Sequence, residues 1–175
     1  MFDSIKNYFR EKALNAVSTA SSKRKVEGRN FETTKIMGVV LPFRSDMDNV
    51  MNRIKTIAKE NKIETTFLIY FPQDKLPETA FPTPSRIIFS NKECNWYGKP
   101  NDQDINNFIK RKFDILIDLS PEVWFPLQYT SAASCANFKI GRIDEEINPY
   151  DFLLLGSKTE DNFIKDLELY LHKIN

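Results

Sequence analysis

The chain has 175 residues, of which 41% are hydrophobic and 28% charged, a composition typical of one globular domain with its own core. Its longest uncharged apolar runs, Ile36–Phe43 and Phe67–Pro72, have the length of strands, so we expect no transmembrane segment. The first residues are too charged for a secretory signal, and the spacing of the two cysteines fits neither a disulfide framework nor a metal site. We therefore expect a cytoplasmic protein.

The net charge of +1 conceals an uneven distribution along the chain. The first 30 residues carry seven basic and three acidic groups, whereas the remainder carries 18 basic and 21 acidic groups. The seven basic residues are Lys6, Arg10, Lys12, Lys23, Arg24, Lys25 and Arg29. A positive segment on a slightly acidic body indicates an anionic partner.

The first predicted element is a helix over about residues 1–20. Apolar residues recur there at helical spacing, namely Phe2, Ile5, Phe9, Ala13, Ala16 and Val17. No strand is predicted before Lys35, so we divide the chain into a basic helical extension, residues 1–34, and an α/β domain, residues 35–175. Three roles are open for the extension: it binds RNA phosphates, it lies on an anionic membrane, or it docks its apolar face on the domain.

From Ile36 onward, short apolar runs alternate with helical patterns. Strands are predicted over residues 36–43, 65–71, 86–90, 113–119, 138–140 and 151–155. Helices are predicted over about 46–58, 102–109, a proline-limited segment ending near 136, and 159–174. Strands separated by helices imply right-handed βαβ units. The fold class predicted is α/β, a three-layer Rossmann-like sandwich with a mostly parallel sheet of five or six strands, in which 113–119 is central.

Polar side chains follow several of these predicted strands. Arg44 comes after the first strand, Asp118 and Ser120 end the fourth, and Arg142 follows the fifth. Ligands of open parallel sheets bind beyond the carboxyl ends of the strands, so these four residues are the candidate ligand-binding set. The alternative interpretation is structural: Ser120 caps a helix that begins at Pro121, and Asp118 accepts hydrogen bonds from loop amides.

The turn after the first strand argues against a dinucleotide cofactor. Pro42–Asp46 has no glycine to let backbone amides approach a phosphate, and Asp46 and Asp48 place negative charge at the start of the next helix. The single histidine, His172, is predicted at a solvated helix end, and neither cysteine has a catalytic partner nearby in sequence. We therefore predict no cofactor, no metal and no catalytic residues.

An aromatic turn, Trp96–Tyr97–Gly98, interrupts the loop after the third strand. One interpretation is a contact site for a partner. The interpretation favoured by the flanking pattern is a loop that folds back and covers the sheet edge with its aromatic rings.

Several segments carry a resemblance to a known family: NWYGKP at 95–100, FDILIDLS at 113–120 and FPLQYTSAASCANFKIGR at 125–142. With the neighbouring strands and the terminal helix, the chain resembles an uncharacterised family of small proteins, a domain of unknown function found widely in Bacteroidetes. The resemblance implies a free-standing cytosolic domain and no catalytic residues. The segment from Asp114 to Arg142 is also loosely similar to the N-terminal half of heptosyltransferase-type glycosyltransferases, whose nucleotide-sugar-binding second half has no counterpart in this sequence.

Two functional hypotheses follow. The first is a non-enzymatic binding protein whose basic extension contacts RNA, the ribosome or another anionic partner. The second is a small-ligand-binding or enzymatic domain that uses the carboxyl edge of the sheet for a nucleotide or sugar phosphate.

Overall fold

The computed structural model describes residues 2–78, 80–156 and 159–173. Its α-helices are α1 (Phe2–Ser21), α2 (Met47–Glu60), α3 (Gln103–Lys110), α4 (Phe125–Ala133) and α5 (Glu160–Lys173). Its strands are β1 (Ile36–Pro42), β2 (Glu64–Phe71), β3 (Arg86–Ser90), β4 (Ile115–Asp118), β5 (Phe138–Gly141) and β6 (Phe152–Leu153). A short 3-10 helix, Asn91–Glu93, follows β3.

Within the described residues, all six strands form one parallel sheet in the order β3-β2-β1-β4-β5-β6. This is the strand order of the Rossmann fold, in which the direction of winding reverses between β1 and β4. Val39 of β1 pairs with Phe67 of β2 on one side and with Ile117 of β4 on the other. The predicted Rossmann-like α/β fold is confirmed, with a sheet that is parallel throughout.

Helices cover both faces of this sheet. On one face, Val39 and Leu41 of β1 share a core with Phe163 of α5 and Met51 of α2. On the other face, residues of α3 and α4 pack against Val40, the intervening residue of the same strand. Alternate residues of β1 therefore enter different cores, which explains why the strand reads as a continuous apolar run rather than an alternating one.

Helix α1 adds a further layer outside α4. Leu14 of α1 is buried in a cluster with Phe125 and Tyr129 of α4. Because the sheet covers one side of α4 and α1 covers the other, most residues of α4 are buried around its whole circumference. The docking of the extension on the domain is thus observed, and the domain boundary at residue 34 stays a prediction.

A buried ionic cluster holds the end of α1 against β5. One terminal nitrogen of Arg24, Nη2, donates to both carboxylate oxygens of Asp151, and the two side chains are only 16% and 14% exposed. Arg24 also donates to the carbonyl oxygen of Asn137, at 2.9 Å. The Asp151 carboxylate accepts a third bond from the backbone N–H of Lys139 at 2.8 Å, so one carboxylate joins the extension to the sheet.

Lys139 itself is fully buried. Its Nζ donates to Ser21 Oγ at 2.9 Å and to the carbonyl oxygen of Ala132, in the last turn of α4, at 3.0 Å. Burial, reinforced by the nearby Arg24 charge, lowers the pKa of Lys139 to about 7, although Asp151 opposes the shift. We call Arg24, Lys139 and Asp151 the clamp cluster.

Three local expectations were wrong. Helix α4 begins at Phe125, so Ser120 does not cap a helix starting at Pro121. Residues 118–120 instead form a turn in which the Ser120 N–H donates to Asp118 Oδ1 at 2.9 Å, and the Ser120 hydroxyl makes no cap bond. The aromatic turn at Trp96 packs on α1 instead of covering the sheet edge. The sixth strand is also shorter than predicted, with two residues.

Candidate functional site

The carboxyl ends of β1, β4 and β5 border two recesses. The larger is a cleft of about 460 Å³, which we call the switch-point cleft. It is lined by Arg44, Asp46, Asn49, Val50, Pro121, Arg142, Thr159 and Asp161. The smaller, which we call the Asp118 cavity, contains Asp118 and Ser120. The four predicted ligand-binding residues therefore reach one edge of the sheet but divide into two pairs.

Two arginines from different strand ends line the switch-point cleft. Arg44 Nε and one terminal nitrogen donate to the two carboxylate oxygens of Asp46, at 3.1 and 2.9 Å. This pairing explains why Asp46, although at the N-cap position of α2, makes no side-chain cap bond. The guanidinium of Arg142 lies over the ring of Phe163, 5.4 Å from its centroid, which orients its planar face.

Two helices also begin at this cleft. Thr159 Oγ1 accepts from the backbone N–H of Asn162 at 3.2 Å in the first turn of α5, and α2 begins directly after Asp46. Helix N-termini carry partial positive charge that favours anions. Arg53 of α2 pairs with Asp161 at 2.7 Å, so the cleft and its border hold three guanidinium groups and two carboxylates. Guanidinium groups thus outnumber carboxylates by one in this count, and Arg142 is the arginine of the cleft whose planar face lies on an aromatic ring.

The carboxylate of Asp118 is buried and fully hydrogen-bonded. Besides the Ser120 N–H on Oδ1, its Oδ2 accepts from Ser131 Oγ at 2.9 Å and from the Tyr150 hydroxyl at 2.7 Å. Burial, together with the Asp118 charge, raises the pKa of Tyr150 well above 10, so the phenol stays protonated as a donor. Asp118 thus joins β4, α4 and the segment before β6.

The hydroxyl of Ser120 has no hydrogen-bond partner among the described residues, and neither does the indole N–H of Trp124. Both residues line the Asp118 cavity, which has a volume of about 10 Å³. A cavity of that size accommodates about one water molecule and no substrate. The Asp118 cavity therefore belongs to a structural hydrogen-bond network, and the switch-point cleft is the candidate ligand site.

The ring of Tyr150 lies directly against Gly141 of β5. A Cβ atom at position 141 would stand 2.4 Å from Tyr150 Cδ2, well inside contact distance. We expect Gly141→Ala to destabilise the protein by about 1–3 kcal/mol, because the ring and its bond to Asp118 must move. The loss should shrink in a Tyr150→Ala background, as measured by a double-mutant cycle in urea. Gly28→Ala is the matched control, because a Cβ atom at position 28 would have no neighbouring atom within 4 Å. An equal loss of stability in Gly28→Ala would contradict the clash between residue 141 and Tyr150.

The seven basic residues of the extension have different environments. Arg10 Nε donates to the Tyr97 carbonyl oxygen at 2.7 Å, Arg24 belongs to the clamp cluster, and Arg29 pairs with Glu27. Lys25 pairs with the same Glu27, but its side chain is 87% exposed. The remaining three are lysines: Lys12 and Lys23 are exposed, and Lys6 is partly buried.

Sequence reasoning missed the residues that complete these networks. Tyr150 gave no signal, because it lies in a polar segment with no periodicity. Lys139 did give a signal: a lysine inside the apolar strand FKI is rarely fully buried unless it has partners.

Of the two cysteines, Cys94 has the pKa expected of an unreactive thiol. Burial raises this pKa to about 12 and keeps the thiol protonated. His172 is exposed, but its ring contacts Phe31, 4.8 Å away between centroids.

In the parts of the chain that the structure describes, no three potential metal ligands of the His, Cys, Asp or Glu type lie together. None of the described helices combines the length and the apolar character needed to cross a membrane.

Comparison with known proteins gives one match. The model of a family described as "Family of unknown function (DUF6913)" matches residues 6–174, from the first turns of α1 to the last helix. Neither the curated proteins nor the solved structures contain a significant match. The match covers α1 as well as the α/β body, and the predicted membership in a family of unknown function is confirmed. The chain belongs to the DUF6913 family.

Proposed function

We propose that this protein is a small-ligand-binding α/β domain, and that the switch-point cleft holds a phosphorylated small molecule, a nucleotide or a sugar phosphate. The observation that carries the proposal is the placement of Arg44 and Arg142 together at the topological switch point of a Rossmann-ordered sheet. This is the position at which such sheets bind their ligands. A volume of about 460 Å³ is within the range of small-molecule sites.

The way in which the phosphate is bound follows from the turn after β1. Without glycines, that turn cannot wrap backbone amides around a pyrophosphate, so the guanidinium groups supply the donors instead. The carboxylates that line the cleft, Asp46 and Asp161, are paired with Arg44 and Arg53, so the proposal is for binding and assigns no catalytic residue.

Arg142→Gln is expected to weaken binding of the phosphorylated ligand at least tenfold, because a charge-assisted bond to the phosphate is lost. Thermal-shift and calorimetric titrations with inorganic phosphate, pyrophosphate, ADP and a hexose 1-phosphate provide the measurement. Lys59→Gln is the matched control, since it removes one positive charge at the opposite end of α2. If no compound of this panel stabilises the protein, or if Lys59→Gln weakens binding as much as Arg142→Gln, the proposal fails.

A second candidate is the binding of RNA, the ribosome or another polyanion by the extension. It is favoured by the exposure of Lys12, Lys23 and Lys25. Three of the basic residues form hydrogen bonds or ion pairs within the protein: Arg10, Arg24 and Arg29. Four lysines remain for phosphate contacts, which makes this candidate the weaker one. The cytoplasmic location and the Bacteroidetes origin stay predictions.

A further inference from the structure

Helix α1 carries a second apolar face that the domain covers only in part, through the rings of Trp96 and Tyr97. Its members project to solvent with exposed fractions between 38% and 66%. They are Phe2, Ile5, Tyr8, Phe9 and, from the turn after the 3-10 helix, Trp96. We call this set the α1 aromatic surface. Leu14, on the docked face of the same helix, is 6% exposed, so α1 has one covered and one open apolar face.

The α1 aromatic surface is continuous. Phe9 is its centre, with ring centroids 5.6 Å from Tyr8 and 5.2 Å from Trp96. Trp96 in turn lies 6.1 Å from Phe2. Single exposed apolar residues are ordinary on a protein surface, whereas a cluster of large aromatic rings in mutual contact marks an interaction surface.

The charges around this surface indicate which partner it fits. Lys6 and Lys12 each lie three residues from Phe9, which places them roughly 60° to either side of it around the helix. Glu11 lies two residues from Phe9 and therefore on nearly the opposite side, and Asp3 is about 120° away. Tyr8 extends the surface to about 100° from Phe9, so Lys12 lies within it, between Ile5 and Tyr8. Lys6 lies at the border towards the docked face, and Glu11 lies at the other border, roughly 60° beyond Tyr8, so lysines outnumber carboxylates in and around the surface.

We propose that the α1 aromatic surface binds the surface of an anionic lipid bilayer. Tryptophan, tyrosine and phenylalanine beside lysine are the residues that anchor helices at the membrane interface. In this arrangement α1 lies parallel to the bilayer, its rings enter the boundary between headgroups and acyl chains, and the two lysines face the lipid phosphates. The domain remains on the aqueous side, attached through α4.

A second copy of the chain fits this surface less well. A twofold contact through the same face would bring the Lys12 side chains of both copies into the contact itself, with only one carboxylate per copy, Glu11, at its border. A lipid surface supplies the missing negative charge and accepts a convex helix without a complementary groove. The proposal is independent of the ligand proposed for the switch-point cleft, because the two lie on different elements.

The test uses flotation with vesicles of phosphatidylcholine alone or mixed 3:1 with phosphatidylglycerol. The full chain is expected to float with the mixed vesicles and much less with the neutral ones. In a Trp124→Phe variant Trp96 is the sole tryptophan, and its emission should shift to shorter wavelength on binding. Phe2→Ser should weaken binding about tenfold, whereas Phe81→Ser, which alters a phenylalanine 64% exposed in a distant loop, should leave it unchanged.

The lysine contribution is tested in the same assay. Lys6→Gln with Lys12→Gln should weaken binding to the mixed vesicles about tenfold or more, and Lys59→Gln with Lys75→Gln should not. The proposal is overturned if the chain floats with neither composition, if neutral vesicles bind equally well, or if Phe81→Ser acts like Phe2→Ser. It is also overturned if light scattering reveals a dimer that Phe2→Ser dissociates, since a second copy would then occupy the surface.

Discussion

Replacing Lys139 with methionine is expected to remove most of the pH dependence of stability between about pH 7 and pH 10.5. The pKa of Lys139 is lowered to about 7 from its ordinary value of 10.5. Between these two values the unfolded chain binds a proton that the folded protein does not, so the stability of the natural protein rises with pH. The full cost of burying the charge is present below pH 7 and disappears as the pH approaches 10.5.

The size of the effect follows from the same two values. The difference between the two pKa values corresponds to about 3–5 kcal/mol of free energy of unfolding. Between pH 6.5 and pH 10, the natural protein should therefore gain this amount of stability relative to the methionine variant. Urea denaturation of both proteins at several pH values gives this difference directly, because other titrating groups contribute equally to both. Lys59→Met, at an exposed position, should leave the pH dependence unchanged. The prediction is wrong if the free energy of unfolding changes with pH by the same amount in the natural protein and in Lys139→Met. Lys139 would then be protonated in the folded protein without an energetic cost.

Replacing Asp151 with asparagine is expected to lower the free energy of unfolding by about 3–5 kcal/mol. The substitution leaves the positive charge of Arg24 in a largely buried region without its carboxylate. It also lowers the pKa of Lys139 further, because Asp151 is the charge that favours its protonated form. It also replaces a bidentate acceptor by a single carbonyl oxygen. The loss is measured by urea denaturation at pH 7.

The effect of Asp151→Asn should be local as well as global. Arg24 lies just after α1, so the end of that helix should detach, and limited proteolysis should cut between residues 22 and 35 sooner than in the natural protein. Glu64→Gln is the control, because its ion pair with Arg111 is largely exposed and should contribute less than about 1 kcal/mol. If the two substitutions have the same effect, Asp151 is no more than a surface partner.

The sequence predicts the body of this fold well because its signals are local. Ile36–Phe43 is apolar throughout since β1 is covered on both faces, and Asp102 precedes α3 as a cap that accepts from the backbone N–H groups of Asp104 and Ile105. The strand order has no such local signal. The pairing of Val39 with Ile117 joins segments nearly eighty residues apart and depends on how helices pack on the sheet.

The candidate site was predictable in position and not in arrangement. Arg44, Asp118 and Arg142 lie at the carboxyl edge because each ends or follows a strand of a parallel sheet. Their division between two recesses depends on the face of the sheet toward which each side chain points. Asp118 is directed toward α4, where Ser131 binds it, whereas Arg142 is directed toward α5 and Phe163. The residues flanking each strand carry too little information to assign those directions.

The role of Ser120 shows how two local preferences compete. Serine followed by proline is typical of a helix start, and it predicted a cap at this position. An aspartate two residues earlier favours a turn instead, and that turn is the one formed: the Ser120 N–H donates to Asp118 Oδ1, and the Ser120 hydroxyl makes no cap bond. The extension was ambiguous for a different reason: α1 has two apolar faces, and the sequence does not show which one meets the domain.

The contact between α1 and α4 has a consequence for the order of events during synthesis. About a hundred residues separate the end of α1 from the start of the helix it covers. At about 5–20 residues per second, ribosomes complete α4 on the order of 5–20 seconds after α1 has been made. Throughout that interval both apolar faces of α1 are exposed on the nascent chain. The helix is therefore available to chaperones, or to a nearby lipid surface, before its own domain can cover either face.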